Sequence, residues 1–587
     1  MFVVSAARAL TLPGHVFVVH GDVRQLSADA VLYPTRNLGN RKWFPSGKPP
    51  GCLPIPRTAF TPDERVIRVK GTDAGAPCIY LSHCDGRFAP RDACGTADGS
   101  PEVRWFLEAA EQFLHAARAE LAASGAPPRC ARATHLLAMP VVGTGTGGAR
   151  GSSGYMIEEL LRLLHSYVGE HAVDVALVVK STRMFSAAQA YRRQQQRQVQ
   201  WEATLGPRLC AAAAELAALA SKEQLGLFLG AGASVGAGLP RWQALLTALA
   251  ERDDVPLSAE EVGQLATLSF EDQASVLSAR LAASSDGGGG GDGNGGGGGG
   301  GDADGEQRLQ ALVVDTLSAS LYSLTHGLLA GLPVAAVVTT NYDELFEAAW
   351  RGAQADFNVL PYEVHEADRF ILKLHGDVRR PQDIVLTRAQ MHDNRETRRA
   401  LSGIVQSMLI TKHLLFVGFS LQDPNFSELA GAVRRALRPV EGGEAGGADV
   451  AADTSFGTLL TLRDRPFLAE LWPDIDCLPM EREGDGVGGG RGDGISDAEC
   501  ARLLEIFVDK VSLDASTCTA HLLDAKFDGV FSAEEEALKG KLLDFRARLA
   551  ERPRARDSDG FAVVEEALRR LGSREMPTAR REWEEDA

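Results

Sequence analysis

The residues that could do chemistry fall into four short stretches, and the first of them is rich in glycine. Four glycines lie within residues 230–238, after the apolar run Leu225–Leu229 and before the amphipathic run Trp242–Arg252. A strand, a glycine turn and a helix together bring backbone N–H groups and the positive end of a helix dipole close to a phosphate. Glycine is favoured there because a Cβ would block that approach. The stretch therefore predicts a phosphate-binding loop.

A tight connection between strand and helix, without any ligand, explains the same glycines. Their spacing differs from the dinucleotide fingerprint G-x-G-x-x-G, because the third glycine, Gly236, falls one residue late. Taken alone, the stretch leaves both interpretations open.

Three more stretches place polar residues directly after predicted strands. They read V-A-A-V-V-T-T-N-Y-D-E-L-F over Val334–Phe346, F-I-L-K-L-H-G-D over Phe370–Asp377, and H-L-L-F-V-G-F-S-L-Q-D-P-N-F over His413–Phe426. In an open α/β sheet, ligands bind at the carboxyl ends of the strands. With the glycine stretch, four such ends fall within about 200 residues, the size of one domain. We therefore expect one shared site.

Each polar residue also has a purely structural interpretation. Asn341 and Asp343 could cap the helix predicted to start near Glu344. His375 could be a hydrogen-bonded histidine at a strand end, although histidine is also the side chain that most often serves as a general base. The order of all four stretches within one domain favours the functional interpretation.

At these residues the chain resembles the sirtuin superfamily. G-A-G-A-S over Gly230–Ser234, with G-L-P over Gly238–Pro240, resembles the sirtuin phosphate loop. T-N-Y-D over Thr340–Asp343 resembles the T-Q-N-x-D segment, and H-G at His375 resembles the catalytic H-G. G-F-S over Gly418–Ser420 resembles the ribose-contacting G-T-S.

The residues of these motifs are even more similar to those of the divergent sirtuin-like NAD hydrolases, a group best known from bacterial antiphage defence. Those proteins carry G-A-G-x-S, T-T-N-Y-D, L-H-G-D and V-G-F-S-x-x-D-P-N. The resemblance covers Gln224–Lys510, about half of the chain. Trp242 and Gln243 stand where sirtuins have Phe and Arg, and the hydrolases share the Trp.

The resemblance implies that NAD is the substrate and assigns roles to twelve residues. Asn341 and His375 are implied to be catalytic, with His375 as the base and Asn341 on the nicotinamide ribose or the attacking water. The residues implied to bind NAD are Gly230, Ala231, Gly232, Ser234, Gly238, Pro240, Thr340, Asp343, Gly418 and Ser420. Gly418 and Ser420 are implied to lie against the adenosine ribose.

Charge and cysteine usage limit the alternatives. A formal net charge of −17 argues against a general nucleic-acid binder or a binder of anionic membranes. No run approaches the ~20 apolar residues of a membrane helix, and the first residues lead us to expect no secretory signal. Nine scattered cysteines without a C-x-x-C pair indicate reduced thiols and predict no metal site. We expect a cytoplasmic protein.

The cysteine positions also bear on the reaction. Deacylating sirtuins carry a four-cysteine zinc module beside the nucleotide domain, yet no cysteine lies between Cys210 and Cys477. The sequence therefore favours an NAD hydrolase that gives nicotinamide and ADP-ribose or a cyclic form. An NAD-dependent deacylase or ADP-ribosyltransferase of sirtuin type, and a non-catalytic NAD-binding scaffold that self-assembles, remain the alternatives.

Residues 14–190 form a separate α/β region. A strand ending in Gly21-Asp22, a glycine-rich loop over Pro140–Gly145, a helix and the strand Asp174–Lys180 follow one another. This pattern resembles a macro domain, the ADP-ribose-binding module. The resemblance implies a site for an ADP-ribose-like nucleotide, with contacts from Asp22, Asn37, Gly143, Thr144 and Gly145.

One departure limits what that region is expected to do. Leu38–Cys52 replaces the second glycine loop of macro domains, so we expect no hydrolysis of ADP-ribose conjugates. An α/β domain that keeps the fold without the ligand is the alternative, since fold does not imply function.

The fold class expected is α/β throughout. A macro-like α/β domain (14–190) is followed by a helical linker (191–221). A Rossmann-like, doubly wound parallel sheet of sirtuin type with a small helical insert then spans residues 222–511. Within it, the glycine-dense insert 286–305 is expected to be disordered because it cannot bury a core. Residues 512–587 are expected to form a charged helical tail, and the whole chain a homo-oligomer.

Overall fold

Two β-sheets, one after the other along the chain, organise the protein. The computed structural model describes residues 12–35, 63–69, 77–83, 101–144, 153–195, 201–253, 255–285, 300–437, 455–481, 495–516, 519–527, 531–550 and 559–573. Asn37, Gly145 and the segment Leu38–Cys52, which the sequence analysis singled out, lie outside these ranges, as do residues 286–299 of the predicted insert.

The first sheet has six strands in the order β1-β6-β5-β2-β4-β3. The strands are β1 (Val16–His20), β2 (Ala30–Thr35), β3 (Val66–Arg68), β4 (Cys78–His83), β5 (Leu136–Pro140) and β6 (Asp174–Val179). All neighbours are parallel except the pair of β3 and β4. Helices α1 (Pro101–Ser124), α2 (Ser153–Glu170) and α3 (Thr182–Gln194) accompany it. Strands β1 and β6 are buried along their whole length, as the mostly apolar sequences V-F-V-V-H and D-V-A-L-V-V predict for parallel strands.

The second sheet has seven strands, all parallel, in the order β13-β12-β11-β7-β8-β10-β9. The strands are β7 (Leu225–Leu229), β8 (Ala336–Thr339), β9 (Asn358–Leu360), β10 (Phe370–Lys373), β11 (His413–Val417), β12 (Gly457–Thr461) and β13 (Ile475–Pro479). Strands β8, β9 and β10 lie on one side of β7. The chain then crosses to the other side of β7, where it forms β11, β12 and β13. The point where the strand order reverses therefore lies between β7 and β11, and the predicted Rossmann-like parallel sheet is confirmed.

Fourteen further helices are described in the rest of the chain. They are α4 (Trp201–Ser221), α5 (Trp242–Ala250), α6 (Ala259–Leu265), α7 (Phe270–Ser285), α8 (Gly300–Thr316), α9 (Leu324–Ala330), α10 (Leu345–Gly352), α11 (Arg388–Thr397), α12 (Arg399–Thr411), α13 (Pro424–Leu437), α14 (Pro466–Leu471), α15 (Asp497–Ala515), α16 (Ala533–Ala550) and α17 (Asp559–Arg570). No helix within the described ranges has both the length and the apolar character needed to cross a membrane.

The prediction that residues 286–305 are disordered is wrong for the end of this segment. Its last six residues, 300–305, belong to helix α8, which packs on α7. Gly305 explains the close packing, because a Cβ there would lie 2.2 Å from the carbonyl oxygen of Ser278. A glycine-rich segment can thus be helical where its lack of side chains lets two helices approach.

One continuous apolar cluster joins the two sheets. It contains Phe17 of β1, Leu216 of α4, Leu227 of β7, Leu328 of α9 and Leu503 of α15, all at most 3% exposed. Helix α4, in the segment for which a linker is predicted, packs along α15. The helices between the sheets therefore form a shared layer, and α4 buries one face in it.

Buried ion pairs fix the first sheet against α15. Asp509 on α15 binds the guanidinium of Arg192 at 2.6 Å and accepts a hydrogen bond from Nε2 of His15 at 2.8 Å. Arg502 on the same helix donates to both carboxylate oxygens of Asp174, at 2.7 and 2.9 Å. Burial alone would raise the pKa of Asp509, but Arg192 and His15 hold it below its usual value. The relative position of the sheets is thus set by directional contacts as well as by apolar burial.

Candidate active site

Four polar stretches meet at one edge of the second sheet. Gly230 follows β7, Asn341 follows β8, His375 follows β10, and Gly418 follows β11. These strands are consecutive neighbours in the order β11-β7-β8-β10. Because all four are parallel, the residues that follow them lie at the same carboxyl edge. The loops after β7 and β11 flank the point where the strand order reverses, which is where open α/β sheets bind ligands.

The glycine loop packs directly against the loop after β11. The N–H groups of Gly230 and Gly232 donate to the carbonyl oxygens of Val417 and Gly418, at 3.0 and 2.9 Å. A Cβ on Gly230 would lie 2.6 Å from the Gly418 oxygen. Gly418 itself has a φ of +67°, and a Cβ there would lie 2.1 Å from the nitrogen of Ala233. These glycines are therefore required for contact between two backbone segments.

This geometry changes the physical reason that the sequence offered for the glycines. The two N–H groups already bonded to carbonyl oxygens are not free to hold a phosphate. The helix predicted over Trp242–Arg252 does begin at Trp242, as α5, and Ala231–Ala237 form a short 3-10 helix between the strand and it. Gly238 ends the 3-10 helix with a φ of +89°, a left-handed conformation that glycine adopts without strain.

A cleft of about 390 Å³ opens beside this contact. Six of the predicted residues line it: Ala231, Gly232, Thr340, His375, Gly418 and Ser420. A smaller pocket of about 30 Å³ is lined by four more, Ser234, Pro240, Asn341 and Asp343. Ala231, Trp242 and Thr340 line both, so the two spaces adjoin. Gly230 lies behind the cleft, where it contacts Gly418.

The amide of Asn341 is held from one side only. Its Nδ2 donates to the carbonyl oxygen of Gly230 at 3.1 Å and to Oγ of Ser234 at 3.2 Å. Oγ of Ser234 in turn donates to Asp343 at 2.8 Å. The Oδ1 atom of Asn341 is buried and has no hydrogen-bond partner among the described residues. The network therefore fixes the amide and leaves one acceptor unused at the small pocket.

Asp343 combines the two interpretations that the sequence left open. Its Oδ1 accepts a hydrogen bond from the N–H of Leu345, the first residue of α10, at 3.0 Å. Its Oδ2 accepts from Ser234. Asp343 thus closes the turn at the start of the helix and also supports the residues around Asn341.

His375 forms a pair with Asp423, a residue that the sequence analysis did not include in the site. Nε2 of His375 lies 3.1 Å from Oδ2 of Asp423, and both residues line the cleft. The ring is 4% exposed, and its Nδ1 has no hydrogen-bond partner within the described ranges. Gly376, with a φ of +112°, turns the chain directly after His375. The D-P-N signal after β11 could have identified Asp423.

The carboxylate of Asp423 stays ionised in this setting. Burial alone would raise its pKa, but His375 and the N–H groups of Phe426 and Asn425 lower it below the usual value. Oδ1 accepts from those N–H groups, at 3.3 and 2.8 Å, at the start of α13. Oδ2 is the oxygen that faces His375.

A buried lysine holds the turn that carries Asn341. Nζ of Lys373 donates to the carbonyl oxygens of Tyr342 and Asp343, at 3.3 and 2.6 Å. It also pairs with the carboxylates of Glu347 and Asp377, at 3.1 and 3.3 Å. Burial alone would lower the pKa of Lys373, but these carboxylates raise it, so the amine remains charged. The signal that the sequence analysis missed is one lysine inside the apolar strand F-I-L-K.

Three arginines bring positive charge to the cleft. Arg241, Arg463 and Arg465 line it. Arg463 is paired with Asp497, its Nε lying 2.9 Å from the carboxylate. Arg241 and Arg465 are exposed and form no ion pair in the part of the chain that the structure describes. Glu271, Asp423 and Asp497 line the cleft as well, so the positive charge that can take an anionic group is local to Arg241 and Arg465.

The first sheet presents its predicted residues differently. The carboxylate of Asp22, after β1, binds Nε of Arg24 at 2.9 Å and Nζ of Lys180 at 3.1 Å. Burial alone would raise the pKa of Asp22, but Arg24 and Lys180 lower it to about 2. Its backbone N–H donates to the hydroxyl of Tyr322, a fully buried residue that precedes α9, at 3.1 Å. The second part of the chain therefore covers this end of β1.

Gly143 and Thr144 follow β5 at the same edge of the first sheet. Gly143 has a φ of +79°, and a Cβ there would collide with the ring of Phe106. Oγ1 of Thr144 donates to the carbonyl oxygen of Val141 at 3.3 Å. The predicted contacts Asn37 and Gly145 lie outside the described residues.

Comparisons with known proteins agree on the second part of the chain. Residues 335–444 match the family model of the SIR2-like domain, and this range includes Asn341, His375 and Ser420. The chain is 27% identical over 223 residues to the NAD(+) hydrolase ThsA of Cytobacillus dafuensis, covering 36% of this chain and 38% of that protein. It is 28% identical over 225 residues to NAD(+) hydrolase ThsA of Enterococcus faecium, covering 37% and 41%.

A shorter match involves a third relative. Defense-associated sirtuin 2 of Bacillus subtilis is 29% identical over 118 residues, which cover 19% of this chain and 12% of that protein. The chain spans about two-fifths of the length of the two ThsA relatives. Over part of its length, then, this chain is similar to SIR2-like domains and to proteins named for NAD hydrolysis or for defence.

Proposed function

We propose that the chain is an NAD hydrolase that cleaves NAD to nicotinamide and ADP-ribose, or, without the addition of water, to nicotinamide and a cyclic form of ADP-ribose. The observation that carries the proposal is the pairing of His375 with Asp423 in a cleft beside the fixed amide of Asn341. Both His375 and Asn341 keep one buried polar atom without a partner among the described residues. Such atoms are costly unless a ligand uses them. The ThsA relatives, which are named NAD(+) hydrolases, support the same reaction.

In this reaction the bond between C1′ of the ribose and the nicotinamide nitrogen breaks. The electron pair leaves with nicotinamide, which becomes neutral, and positive charge develops on the ribose ring as in other glycosidic cleavages. The oxygen of water forms the new bond to C1′, and its proton passes to Nδ1 of His375. In a cyclic product another nucleophilic atom of the same NAD molecule takes the place of the water oxygen.

The two adjoining spaces suit the two halves of NAD. A volume of about 390 Å³ lies within the range of small-molecule sites, and we assign to it the adenosine, the phosphates and, towards the small pocket, the nicotinamide ribose that His375 must reach. Gly418 and Ser420 would contact the adenosine ribose, and Ala231, Gly232 and Thr340 the pyrophosphate. We assign the small pocket, lined by Ser234, Leu239, Pro240, Asn341 and Asp343, to the nicotinamide end, and Gly238 to the turn that leads into this lining. There Oδ1 of Asn341 would accept a hydrogen bond from the ribose or from the attacking water.

Arg241 and Arg465 are assigned to the phosphate charge. Because the N–H groups of Gly230 and Gly232 are bonded to carbonyl oxygens, backbone donors alone do not account for an anion in the cleft. An arginine offers several N–H donors in a planar fork that matches phosphate oxygens. The exposed pair at the rim therefore supplies what the loop lacks.

The experiment is to incubate the purified chain with NAD, with and without an acetylated peptide, and to measure nicotinamide. Release of nicotinamide without peptide supports hydrolysis. Release that requires the peptide indicates the deacylase, and transfer of ADP-ribose to protein indicates the ADP-ribosyltransferase. The absence of cysteines between Cys210 and Cys477 argues against the deacylase. Binding of NAD without any release of nicotinamide would support the non-catalytic scaffold that binds NAD and self-assembles.

We further propose that the first sheet is a macro-like domain that takes an ADP-ribose-like nucleotide. Its support is the parallel arrangement of β1, β6, β5 and β2, which sets Asp22 and the Gly143-Thr144 turn at one edge. Titration calorimetry with ADP-ribose tests this, with Thr144→Val as the variant expected to weaken binding. Heats equal to those of buffer dilution for the wild type would contradict it.

The remaining proposals concern the state of the protein. We propose a cytoplasmic homo-oligomer, with NAD drawn from the surrounding pool. Sedimentation velocity at several concentrations tests the assembly, and a monomer at every concentration would contradict it.

A further inference from the structure

The two oxygens of the Asp423 carboxylate face different groups. Oδ1 accepts from the N–H groups of Asn425 and Phe426 at the start of α13. Oδ2 lies 3.1 Å from Nε2 of His375 on a different strand loop. A residue that served only to cap α13 would need one oxygen, so the second contact calls for its own explanation.

The loop that carries Asp423 is held in a costly conformation. Leu421 has a φ of +59° and is 4% exposed. A left-handed conformation costs a non-glycine residue of order 1–3 kcal/mol, and such strain is concentrated at functional sites. Gly418, at φ +67°, starts the same loop. The backbone between β11 and α13 thus bends tightly to bring Asp423 towards the end of β10.

The pairing decides which nitrogen of His375 carries the proton. The carboxylate of Asp423 has no proton to donate, because its pKa is lowered, so Nε2 of a neutral imidazole must be the N–H that donates to it. The lone pair then lies on Nδ1, the ring nitrogen that has no partner within the described residues. An imidazole in this tautomer is ready to take a proton at Nδ1, and the carboxylate stabilises the cation that results.

We propose that Asp423 is a positioning residue that sets the tautomer and orientation of His375 for NAD hydrolysis. This rests on the proposed function, but the tautomer itself does not. Asp423 acts through the imidazole and forms no bond to the reacting atoms.

The test uses the substitution Asp423→Asn in the full chain. The amide oxygen of Asn keeps an acceptor for the N–H groups that start α13, while its NH₂ group replaces the acceptor that faced His375. Because an NH₂ group donates, it requires the lone pair on Nε2 and moves the proton of His375 to Nδ1. Asp423→Ala is the matched variant that removes both contacts.

The primary measurement is the ¹⁵N spectrum of chain labelled selectively on histidine. The chain has 13 histidines, and the signal of His375 is the one lost in His375→Gln. We expect the Nε2–H tautomer in the wild type and the Nδ1–H tautomer in Asp423→Asn. The signal of His15, which pairs with Asp509 far from the cleft, is the internal control and should not change.

Turnover provides the second measurement. We expect kcat for nicotinamide release to fall about 10²-fold or more in Asp423→Asn, the contribution of a correctly placed base, with KM for NAD near that of the wild type. Melting temperatures should show Asp423→Asn close to the wild type and Asp423→Ala lower. An Nε2–H tautomer that persists in Asp423→Asn, or full kcat in that variant, would overturn the proposal. Failure of the wild type to release nicotinamide would refute the proposed function and leave the tautomer result to decide the pairing.

Discussion

The two sheets offer similar carboxyl edges to a ligand but treat the polar residues there in opposite ways. In the first sheet, Asp22 is bound by Arg24 and Lys180, and its backbone is bonded to Tyr322. In the second sheet, Asn341 and His375 are each held by one side of the side chain, and the other side has a buried atom without a partner among the described residues. At the first edge the Asp22 carboxylate is bonded within the protein, whereas the second edge keeps buried atoms that the proposed reaction would use.

The comparison shows what separates structural from functional polar residues when the motif alone does not. Asp22 and Asn341 both follow a buried parallel strand, and both stand in sequences that resemble nucleotide-binding families. Their hydrogen-bond balance differs. A polar group whose bonds are all made within the protein stabilises the fold, whereas a fixed but unused acceptor is a cost that ligand binding can remove.

The largest expected effect comes from Lys373, on which the second edge depends. Lys373→Met would leave the buried carboxylate of Glu347 without its cation and Asp377 with Arg379 alone, which costs about 3–5 kcal/mol of unfolding free energy. Urea denaturation measures it. The control is Lys180→Met at the first edge, where the lysine side chain is 54% exposed and the expected loss is below about 1 kcal/mol. Equal losses would contradict the contrast.

Asn341→Ala is expected to reduce kcat for nicotinamide release by about 10²–10³-fold, the usual effect of one lost hydrogen-bond group aimed at developing charge. The variant should keep its circular dichroism, because Asn341 buries little apolar surface. Asn358→Ala is the control: its amide binds the carbonyl oxygen of Ala367 at 2.9 Å, away from the cleft. Asn358→Ala should lower stability but not kcat, and a similar loss of kcat in both would count against the role of Asn341.

Arg465→Gln is expected to raise KM for NAD by about tenfold, since one hydrogen bond to a charged group contributes roughly 1.5–3 kcal/mol. The rise should become smaller as salt is added, because an exposed cation is screened. Arg463→Gln is the control, since Arg463 already pairs with Asp497. If KM responds to Arg463 and not to Arg465, the phosphate assignment is wrong.

The smallest effect is expected at the first edge, where Tyr322 contacts Asp22. Tyr322→Phe removes the hydroxyl that accepts from the N–H of Asp22 and donates to its carbonyl oxygen, and should lower the unfolding free energy by about 1–2 kcal/mol, the net value of two hydrogen bonds. Turnover of NAD should not change. A large loss of turnover, measured at a temperature where the variant is folded, would mean that the first edge takes part in the reaction.

The sequence predicts the second sheet well because its signals are local. Each apolar run ends in polar residues, so the strands and their functional ends could be found without knowing the strand order. The position of the site also follows, since parallel strands share one carboxyl edge. Leu225–Leu229 was predicted as a strand, and it is β7.

The partners of those residues could not be predicted in the same way, because they depend on contacts between distant segments. His375 and Asp423 are 48 positions apart and meet only when the loop after β11 bends back at Leu421. The close backbone contact between Gly230 and Gly418 depends on strand order as well, because it forms only where β7 and β11 are neighbours. Helix α8 beginning at Gly300 shows the same limit, since composition predicts disorder there while packing on α7 favours a helix.

The most direct test of the account is nicotinamide release by the wild type and by His375→Gln, compared at equal concentration and equal circular dichroism. The account predicts that the wild type consumes NAD and that His375→Gln does so about 10²–10⁴-fold more slowly, because a positioned base is lost while a strand-end side chain contributes little to stability. Equal rates in the two proteins would contradict the assignment of His375 as the base, and with it the reading of the second edge as the reaction site.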